Sequence, residues 1–243
     1  MRKKNSMPLH LLGFSRSADV CRTSGVDWVV SGELAAAVLP LPPSPTPLEH
    51  AAHLAAIHRH GDVLPMRFGA VLPDAAAVGD FAGREREKLL EQLNRLRGTA
   101  EFGVRIALSP APVASASSEP AAEKRGQSPF VRSTLRAVPA NGDCPLFSDS
   151  PVQYLARRRA EYQSHDQQAL CARLSAEHCT RTLKSHWRDW RRLSPEPAGT
   201  VRLAFLVQRS LSETFAERLA ALSVERPGEH YTLLGPWPPY SFV

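Results

Sequence analysis

The chain has 243 residues, of which 43% are hydrophobic and 22% charged, and it carries a net charge of +6 with a pI of about 9.5. A chain of this length and composition can bury a core without disulfides or structural metals, which excludes a fibrous or low-complexity polypeptide. No stretch approaches the roughly 20 apolar residues of a membrane span, so we expect a soluble protein without a membrane partner.

The cysteines and the first residues indicate a cytoplasmic protein. Cys21, Cys144, Cys171 and Cys179 form no CxxC pair, and a chain of this size does not need a disulfide framework. The basic start Met1-Arg-Lys-Lys is not followed by the apolar run of a signal peptide. We therefore expect reduced thiols in the cytoplasm.

The first hundred residues predict an α+β arrangement. Thr46 and Glu49 have the spacing of a capping box, with Pro47 at the first helical position and Gly61 after the last. The five prolines from Pro40 to Pro47 predict a stiff connection before this helix, because proline fits neither a helix interior nor a central strand. The predicted elements are a strand at 8–14, a hairpin of 26–30 and 33–39, a helix at 47–60, an extended segment at 62–70, a helix at 84–97 and a half-buried strand at 101–108.

A change of composition separates the two halves of the chain. Residues 109–127 are rich in Ala, Ser and Pro and cannot bury enough apolar area to offset their ordering entropy. The elements predicted after them are a helical stretch at 152–193 with a bend or break near Ser164, a strand at 200–208, a helix at 212–222 and a strand at 231–234. We therefore predict a domain at 1–108, a linker or insertion at 109–150, and a second α+β domain at 151–243 with a Pro-Trp-Pro-Pro tail.

The sequence shows no motif of a common enzyme class. It contains no P-loop, no GxGxxG, no GxSxG and no HExxH, so we expect no catalytic residues and no cofactor. Two groups of side chains could hold a metal, but each lacks a complete set of ligands at a convergent spacing, and we expect ordinary surface or core residues instead. These groups are His50, His53, His58 and His60 around the first helix, and Cys171, His178 and Cys179 in the second half.

The positive charge leaves a second class of function open, a basic nucleic-acid-binding module without catalysis. Arg157-Arg158-Arg159 and the tract from Arg188 to Arg192 could form a phosphate-binding stripe, with Trp187 and Trp190 available to stack on bases. Trp187 is equally suited to anchor its helix, and an arginine-rich face is more often a solvated one. No recognised nucleic-acid-binding fingerprint accompanies the charge, so we expect no nucleic acid partner.

Four segments resemble the gas vesicle protein F/L family, in order and at suitable spacings. The last of them is the most specific, since a Gly-Pro-Trp-Pro-Pro-Tyr-Ser-Phe-Val ending is rare. The segments are 60–69 (HGDVLPMRFG), 96–105 (LRGTAEFGVR), 154–161 (YLARRRAE) and 234–243 (LGPWPPYSFV).

The resemblance implies a fold and a role. It implies a ferredoxin-like N-terminal domain and a modified ferredoxin-like C-terminal domain with a long helix. It also implies an accessory or minor structural protein, associated with the gas vesicle, that binds the shell protein and other accessory proteins. The family-motif residues that are candidates for interaction are Pro65, Arg67, Phe68, Gly69, Phe102, Gly103, Tyr154, Arg158, Gly235, Pro236, Trp237 and Tyr240.

The residues themselves leave two interpretations of these motifs open. Pro65 inside an apolar segment indicates a sheet edge or a bulge, and Gly69 and Gly103 allow close approach of backbones. Arg67 could form a buried charge pair or contact a partner. Trp237 between prolines could dock on the body of the protein, which we favour, or belong to an interaction tail.

Overall fold

The computed structural model describes residues 7–20, 25–108, 151–194 and 199–243. The chain divides into two compact units, one of Met1–Ser109 with Ala172–Val243 and the other of Pro110–Cys171. The first unit contains two antiparallel sheets. The α+β class predicted from the sequence is therefore confirmed.

The first sheet is built around strand β1. Its strands are β1 (Leu9–Arg16), β2 (Asp27–Ser31), β3 (Leu34–Pro40), β4 (Leu64–Pro65) and β5 (Val71–Leu72), in the order β2-β3-β1-β4 with β5 also paired to β1. The predicted hairpin is confirmed, since Ser31 pairs with Leu34 at its turn. Gly13 is required where β1 meets β4, because a Cβ at this position would lie 2.6 Å from the carbonyl oxygen of Leu64.

Helices cover both faces of this sheet. Helix α1 (Pro47–His60) begins at the predicted capping box, in which the Thr46 hydroxyl and the Glu49 carboxylate each accept from the other residue's backbone N–H. Its Leu54 and Ile57 pack on one face of the sheet. Helices α2 (Ala75–Arg84) and α3 (Arg86–Leu96) pack on the opposite face.

The second sheet has the connections of a ferredoxin-like fold. Strand β6 (Thr99–Leu108) is followed by α4 (Pro151–Thr182), β7 (Asp189–Arg192), β8 (Thr200–Gln208), α5 (Ser212–Glu225) and β9 (Glu229–Trp237), and the spatial order is β7-β8-β6-β9. This is the βαββαβ arrangement. The sequence prediction places residues 99–108 in the first domain, whereas in the structure they form a central strand of the second sheet. The domain boundaries at 108 and 151 stay a prediction.

Both faces of the second sheet are covered at the start of β6, where Glu101 and Gly103 are buried, whereas Arg105 is exposed. The half-buried pattern predicted for 101–108 is therefore wrong only for the first residues of the strand. Phe102 and Ile106 on one face pack with Phe215 of α5 and the buried end of α4. On the other face, Ala204 and Leu206 of β8 join the apolar cluster that also holds α3 and the first sheet. Helices α2 and α3 therefore form a layer between the two sheets.

Three other predicted elements differ from the structure. Helix α4 runs unbroken from Pro151 to Thr182, with no break near Ser164. The predicted helix beyond it is wrong, because residues 189–192 pair with β8. Helix α2 was not predicted, since Gly79 and Gly83 lower its intrinsic helix propensity; Asp74 caps it by accepting from the Ala77 amide at 2.9 Å. The predicted linker at 109–150 lies outside the described residues.

Candidate interaction surfaces

The C-terminal family motif lies on the second sheet. Gly235 has φ +114°, and a Cβ there would lie 2.7 Å from the carbonyl oxygen of Glu101, so only glycine allows β9 to approach β6 this closely. The ring of Trp237 lies over Gly103, where a Cβ would come within 3.2 Å of it. Both glycines thus make room for the motif, and Trp237 remains 40% exposed.

A buried carboxylate holds the residues that follow. Glu101 is 5% exposed, and its oxygens accept the Ser241 amide N–H at 2.7 Å and the Ser241 hydroxyl at 2.6 Å. Burial raises the pKa of Glu101, while the two bonds from Ser241 and the nearby Arg191 act in the opposite direction. Arg191 also donates to the Ser241 carbonyl. The tail is therefore bound by charge-assisted hydrogen bonds, which are the stronger kind.

Phe242 anchors the tail in the interior. Its side chain is fully buried in the cluster between the two sheets, its carbonyl accepts from Arg95 of α3, and the Arg191 guanidinium lies 5.2 Å from its ring centroid. Tyr240 is 41% exposed, and burial of its hydroxyl raises its pKa. The structure thus places the tail on the body of the protein, with Trp237 and Tyr240 still partly accessible. Of the other candidates in this region, Phe102 is buried and its ring centroid lies 5.5 Å from that of Phe215.

The first family motif forms the edge of the first sheet. Pro65 is buried in β4 and pairs with Gly13 of β1, which agrees with the edge position expected for a strand proline. Arg67, Phe68 and Gly69 follow and are exposed, and Gly69 has φ +91°. Arg67 is exposed and so does not form the buried charge pair that was one of its two interpretations, whereas its contact with a partner stays a prediction.

Two buried histidines support Phe68 from below. The His10 and His50 rings form a hydrogen bond of 2.8 Å between Nε2 and Nδ1, and His50 Nε2 lies 3.2 Å from the Met66 carbonyl oxygen. The Phe68 centroid lies 5.4 Å from His10 and 5.6 Å from His50. Burial lowers the pKa of both histidines. The charge of His50 adds to this effect on His10, and for His50 the charge of His53 adds to it while the hydrogen bond to the Met66 carbonyl acts in the opposite direction. The Phe68 ring therefore packs against a pair of neutral imidazole rings, and Phe68 itself is 48% exposed.

Arg209 joins the end of α1 to the second sheet, a feature that sequence reasoning missed. Its guanidinium donates to His58 Nδ1 at 2.9 Å, to the Gly61 carbonyl at 2.9 Å and to the Thr99 carbonyl at 3.3 Å, and it pairs with Asp62 at 3.3 Å. Burial lowers the pKa of His58 to about 4, and the charge of Arg209 adds to this effect. The arginine follows directly after the predicted strand at 200–208, but no periodicity marks its role.

The candidates on α4 lie on its exposed surface. Arg158 donates to the Tyr154 hydroxyl at 3.2 Å, and its guanidinium carbon lies 5.7 Å from the Tyr154 ring centroid. Arg158 also contacts Glu161 at 3.4 Å. These contacts are all within one helix.

The groups considered as metal sites do not converge. His50 pairs with His10 and His58 with Arg209, while Cys171 is exposed and Cys179 is buried. Within 7–20, 25–108, 151–194 and 199–243, no three His, Cys, Asp or Glu side chains are placed to share a metal ion.

The proposed arginine stripe is divided between different elements. Arg157–Arg159 lie on α4, whereas Arg191 and Arg192 lie on strand β7. Trp187 donates to the Thr180 carbonyl and packs against Phe205, so it anchors the core.

Among the helices that the structure describes, none has the length and apolar character needed to cross a membrane.

Two crystal structures share this fold. The gas vesicle protein GvpF from Anabaena sp. PCC7120 superposes with a TM-score of 0.69 at 14% identity, over 98% of this chain and 96% of that one. The GvpF of Microcystis aeruginosa gives 0.65 at 12% identity, over 97% and 98%. The fold is that of the two-sheet gas vesicle proteins.

Sequence comparison identifies the family. The model of the gas vesicle synthesis protein GvpL/GvpF family matches residues 12–243, so the chain belongs to that family. Gas vesicle protein L of Streptomyces sp. (strain CB03234) is 30% identical over 199 residues, which cover 80% of this chain and 67% of that protein. Gas vesicle protein F of the same strain is 30% identical over 226 residues, covering 88% and 86%. The resemblance seen in the four motifs is confirmed, and the family is not a known enzyme family.

Proposed function

We propose that the protein acts in gas vesicle assembly as an accessory or minor structural protein of the cytoplasm, without catalysis, by binding the vesicle shell protein and other accessory proteins. The observation that carries this proposal is the family match, which spans residues 12–243 and so includes both sheets. The two relatives that match over most of this chain are themselves named gas vesicle proteins.

The loop of Arg67 and Phe68 is the surface that we assign to the shell protein. Protein interfaces are enriched in aromatic residues and arginine, and the residues that dominate binding are often of these types. The Phe68 ring packs against the His10 and His50 rings, so it is ordered before a partner binds. An ordered aromatic ring loses little entropy on binding. The tail is a weaker candidate, because Phe242 is committed to the core.

Co-expression with the shell protein and recovery of the complex after nuclease treatment and a high-salt wash tests the proposal. We expect specific recovery from the wild-type protein and a loss of about tenfold or more with Phe68→Ser or Arg67→Glu, since residues of this kind contribute 1–2 kcal/mol or more each. Val224→Ser, at an 83% exposed position of α5, and Arg59→Glu, on the exposed surface of α1, are the matched controls. Circular dichroism checks that each variant is folded.

Each alternative result has a distinct meaning. Recovery of the shell protein by all four variants would keep the function and reject the loop as its site. Failure of the wild-type protein to recover any gas vesicle protein, with nucleic acid recovered in untreated samples, would reject the proposal in favour of the basic nucleic-acid-binding module.

A further inference from the structure

Twenty residues of α4 are exposed around their full circumference. From Val152 to Cys171 every residue is exposed, including the large apolar side chains Leu155 at 65% and Tyr162 at 68%. At 1.5 Å per residue the segment is about 30 Å long. We call residues 152–171 the exposed helical segment. A helix that is exposed all round and still carries large apolar residues is typical of a surface awaiting a partner.

The apolar positions of this segment continue a pattern that is buried further along the same helix. Leu155, Tyr162 and Ala169 follow one another at seven-residue steps, and the next two steps reach Ala176 in α4 and Leu183 one residue beyond its end, both buried in the core of the second sheet. Apolar residues at every seventh position line one face of a helix, which is the face that packs on a neighbouring element. The buried half of α4 has its partner, whereas the exposed half presents the same repeat without one among the described residues.

The exposed helical segment is complementary to itself in the antiparallel direction. When two copies are aligned with Tyr162 opposite Tyr162, Leu155 faces Ala169, so that a large side chain meets a small one. In the same alignment Arg159 lies on the same side of the contact as Asp166 of the other copy, once on each side of the centre. A twofold interface requires this reciprocity, in which residue i meets j and j meets i.

We propose that the exposed helical segment pairs antiparallel with the same segment of a second copy of this chain, forming a homodimer that is independent of the shell protein. The charges select this occupant. The arginine-rich end of one segment lies over the end of the other that carries Asp166, whereas a parallel pair would place the two arginine-rich ends together. Two helices in contact over about 30 Å make an interface at the small end of the specific range, so the dimer is a weak one with a dissociation constant in the micromolar range.

Analytical ultracentrifugation of the full chain from about 1 to 200 μM tests the pairing, because this range spans the expected dissociation constant. We expect a monomer–dimer equilibrium. Arg159→Asp alone and Asp166→Arg alone each place like charges opposite one another twice per dimer, and each raises the dissociation constant at least about tenfold. Arg159→Asp combined with Asp166→Arg restores opposite charges and returns the constant to near its wild-type value. Rescue by the double variant is a result that misfolding or a general loss of charge would not give.

A second pair of variants tests the centre of the interface. Tyr162→Glu places two carboxylates together at the twofold axis and abolishes the dimer. Ser164→Glu adds the same charge on the opposite side of the helix, 200° away, and leaves it unchanged. A protein that is monomeric at every concentration overturns the proposal, which is also the result expected if residues 110–150 of the same chain cover the segment. So does a dimer that is insensitive to both Tyr162→Glu and the charge reversals.

Discussion

Glu101 and Ser241 lie 140 positions apart in the chain, and the carboxylate of the first accepts both the backbone amide and the hydroxyl of the second. This contact fixes the tail over the central strand of the second sheet, where Arg191 and Arg95 bind the adjacent carbonyl groups. The last residues of the family motif are therefore structural members of the fold. Their partly exposed aromatic residues are presented from a rigid base.

Replacing the carboxylate weakens the fold. Glu101→Ala removes two charge-assisted hydrogen bonds and leaves a cavity in a buried site, so we expect the free energy of unfolding to fall by about 2–4 kcal/mol. Denaturation by urea, monitored by circular dichroism, measures the change. Ser241→Ala removes the hydroxyl but keeps the amide bond, and its cost should be about 1 kcal/mol. Equal effects of the two variants would show that the amide bond contributes nothing.

Glycine is required at position 235. Gly235→Ala places a Cβ 2.7 Å from the Glu101 carbonyl oxygen and forces alanine into φ +114°, so we expect a loss of at least about 2 kcal/mol of stability. Gly79→Ala is the control, because nothing lies within 4 Å of its added Cβ. Alanine should stabilise helix α2 at that position by up to about 1 kcal/mol. Thermal unfolding of both variants therefore moves in opposite directions if the close approach of β9 to β6 is correct.

Acid destabilises the protein through His58. Its pKa is lowered from 6.5 to about 4 in the folded state, so the unfolded chain binds the proton more readily and folding loses stability as the pH falls from 6.5 towards 4. A pKa difference of this size between the folded and unfolded states corresponds to about 3 kcal/mol in the free energy of unfolding. His10 and His50 act in the same direction, since burial lowers their pKa values also. Denaturation measured at several pH values should show this slope.

His58→Gln separates this contribution from the others. The variant should be less stable near neutral pH, yet flatter in its dependence on pH between 6.5 and 4, because the titrating group is gone. His60→Gln, at an exposed position of the same helix, is the control and should keep the wild-type slope. An unchanged slope in His58→Gln would contradict the assignment.

We expect Arg209 to contribute more to the free energy of unfolding than an exposed arginine such as Arg218. Arg209→Ala removes bonds to His58, Gly61 and Thr99 and leaves partly buried carbonyl groups unsatisfied, so we expect a loss of about 2–4 kcal/mol. Arg218→Ala breaks an exposed pair with Glu225 and should cost less than about 1 kcal/mol. Hydrogen exchange at the end of α1 should rise in the first variant alone.

Local chemistry made part of this fold predictable. The capping box at Thr46, the hairpin turn after Ser31 and the alternation of residues 200–208 are decided by neighbours in the chain, and each prediction is confirmed. The α+β class followed from the same elements. The four motifs predicted the family, and the match of the family model to residues 12–243 confirms it.

The remaining features depend on contacts between distant residues. The local pattern of residues 189–192 predicts a helix, but these residues form a strand because β8 supplies their hydrogen-bond partners. Residues 99–108 alternate like a strand with one solvent-exposed face, but the tail covers that face at Glu101 and Gly103, and only Arg105 stays exposed. No local pattern marks the roles of Arg209 and Glu101, because their partners lie more than 100 positions away.

The position of β6 in the second sheet has a consequence for folding. Its hydrogen-bond partners on either side are residues 200–208 and 229–237, roughly a hundred positions downstream. Strand pairing over such separations is slow, because a long loop must close before any contact is gained. During that interval Phe102, Val104 and Ile106 are uncovered, and segments of this kind associate with other chains. The yield of folded protein should therefore depend on dilution and on chaperones more than its final stability would indicate.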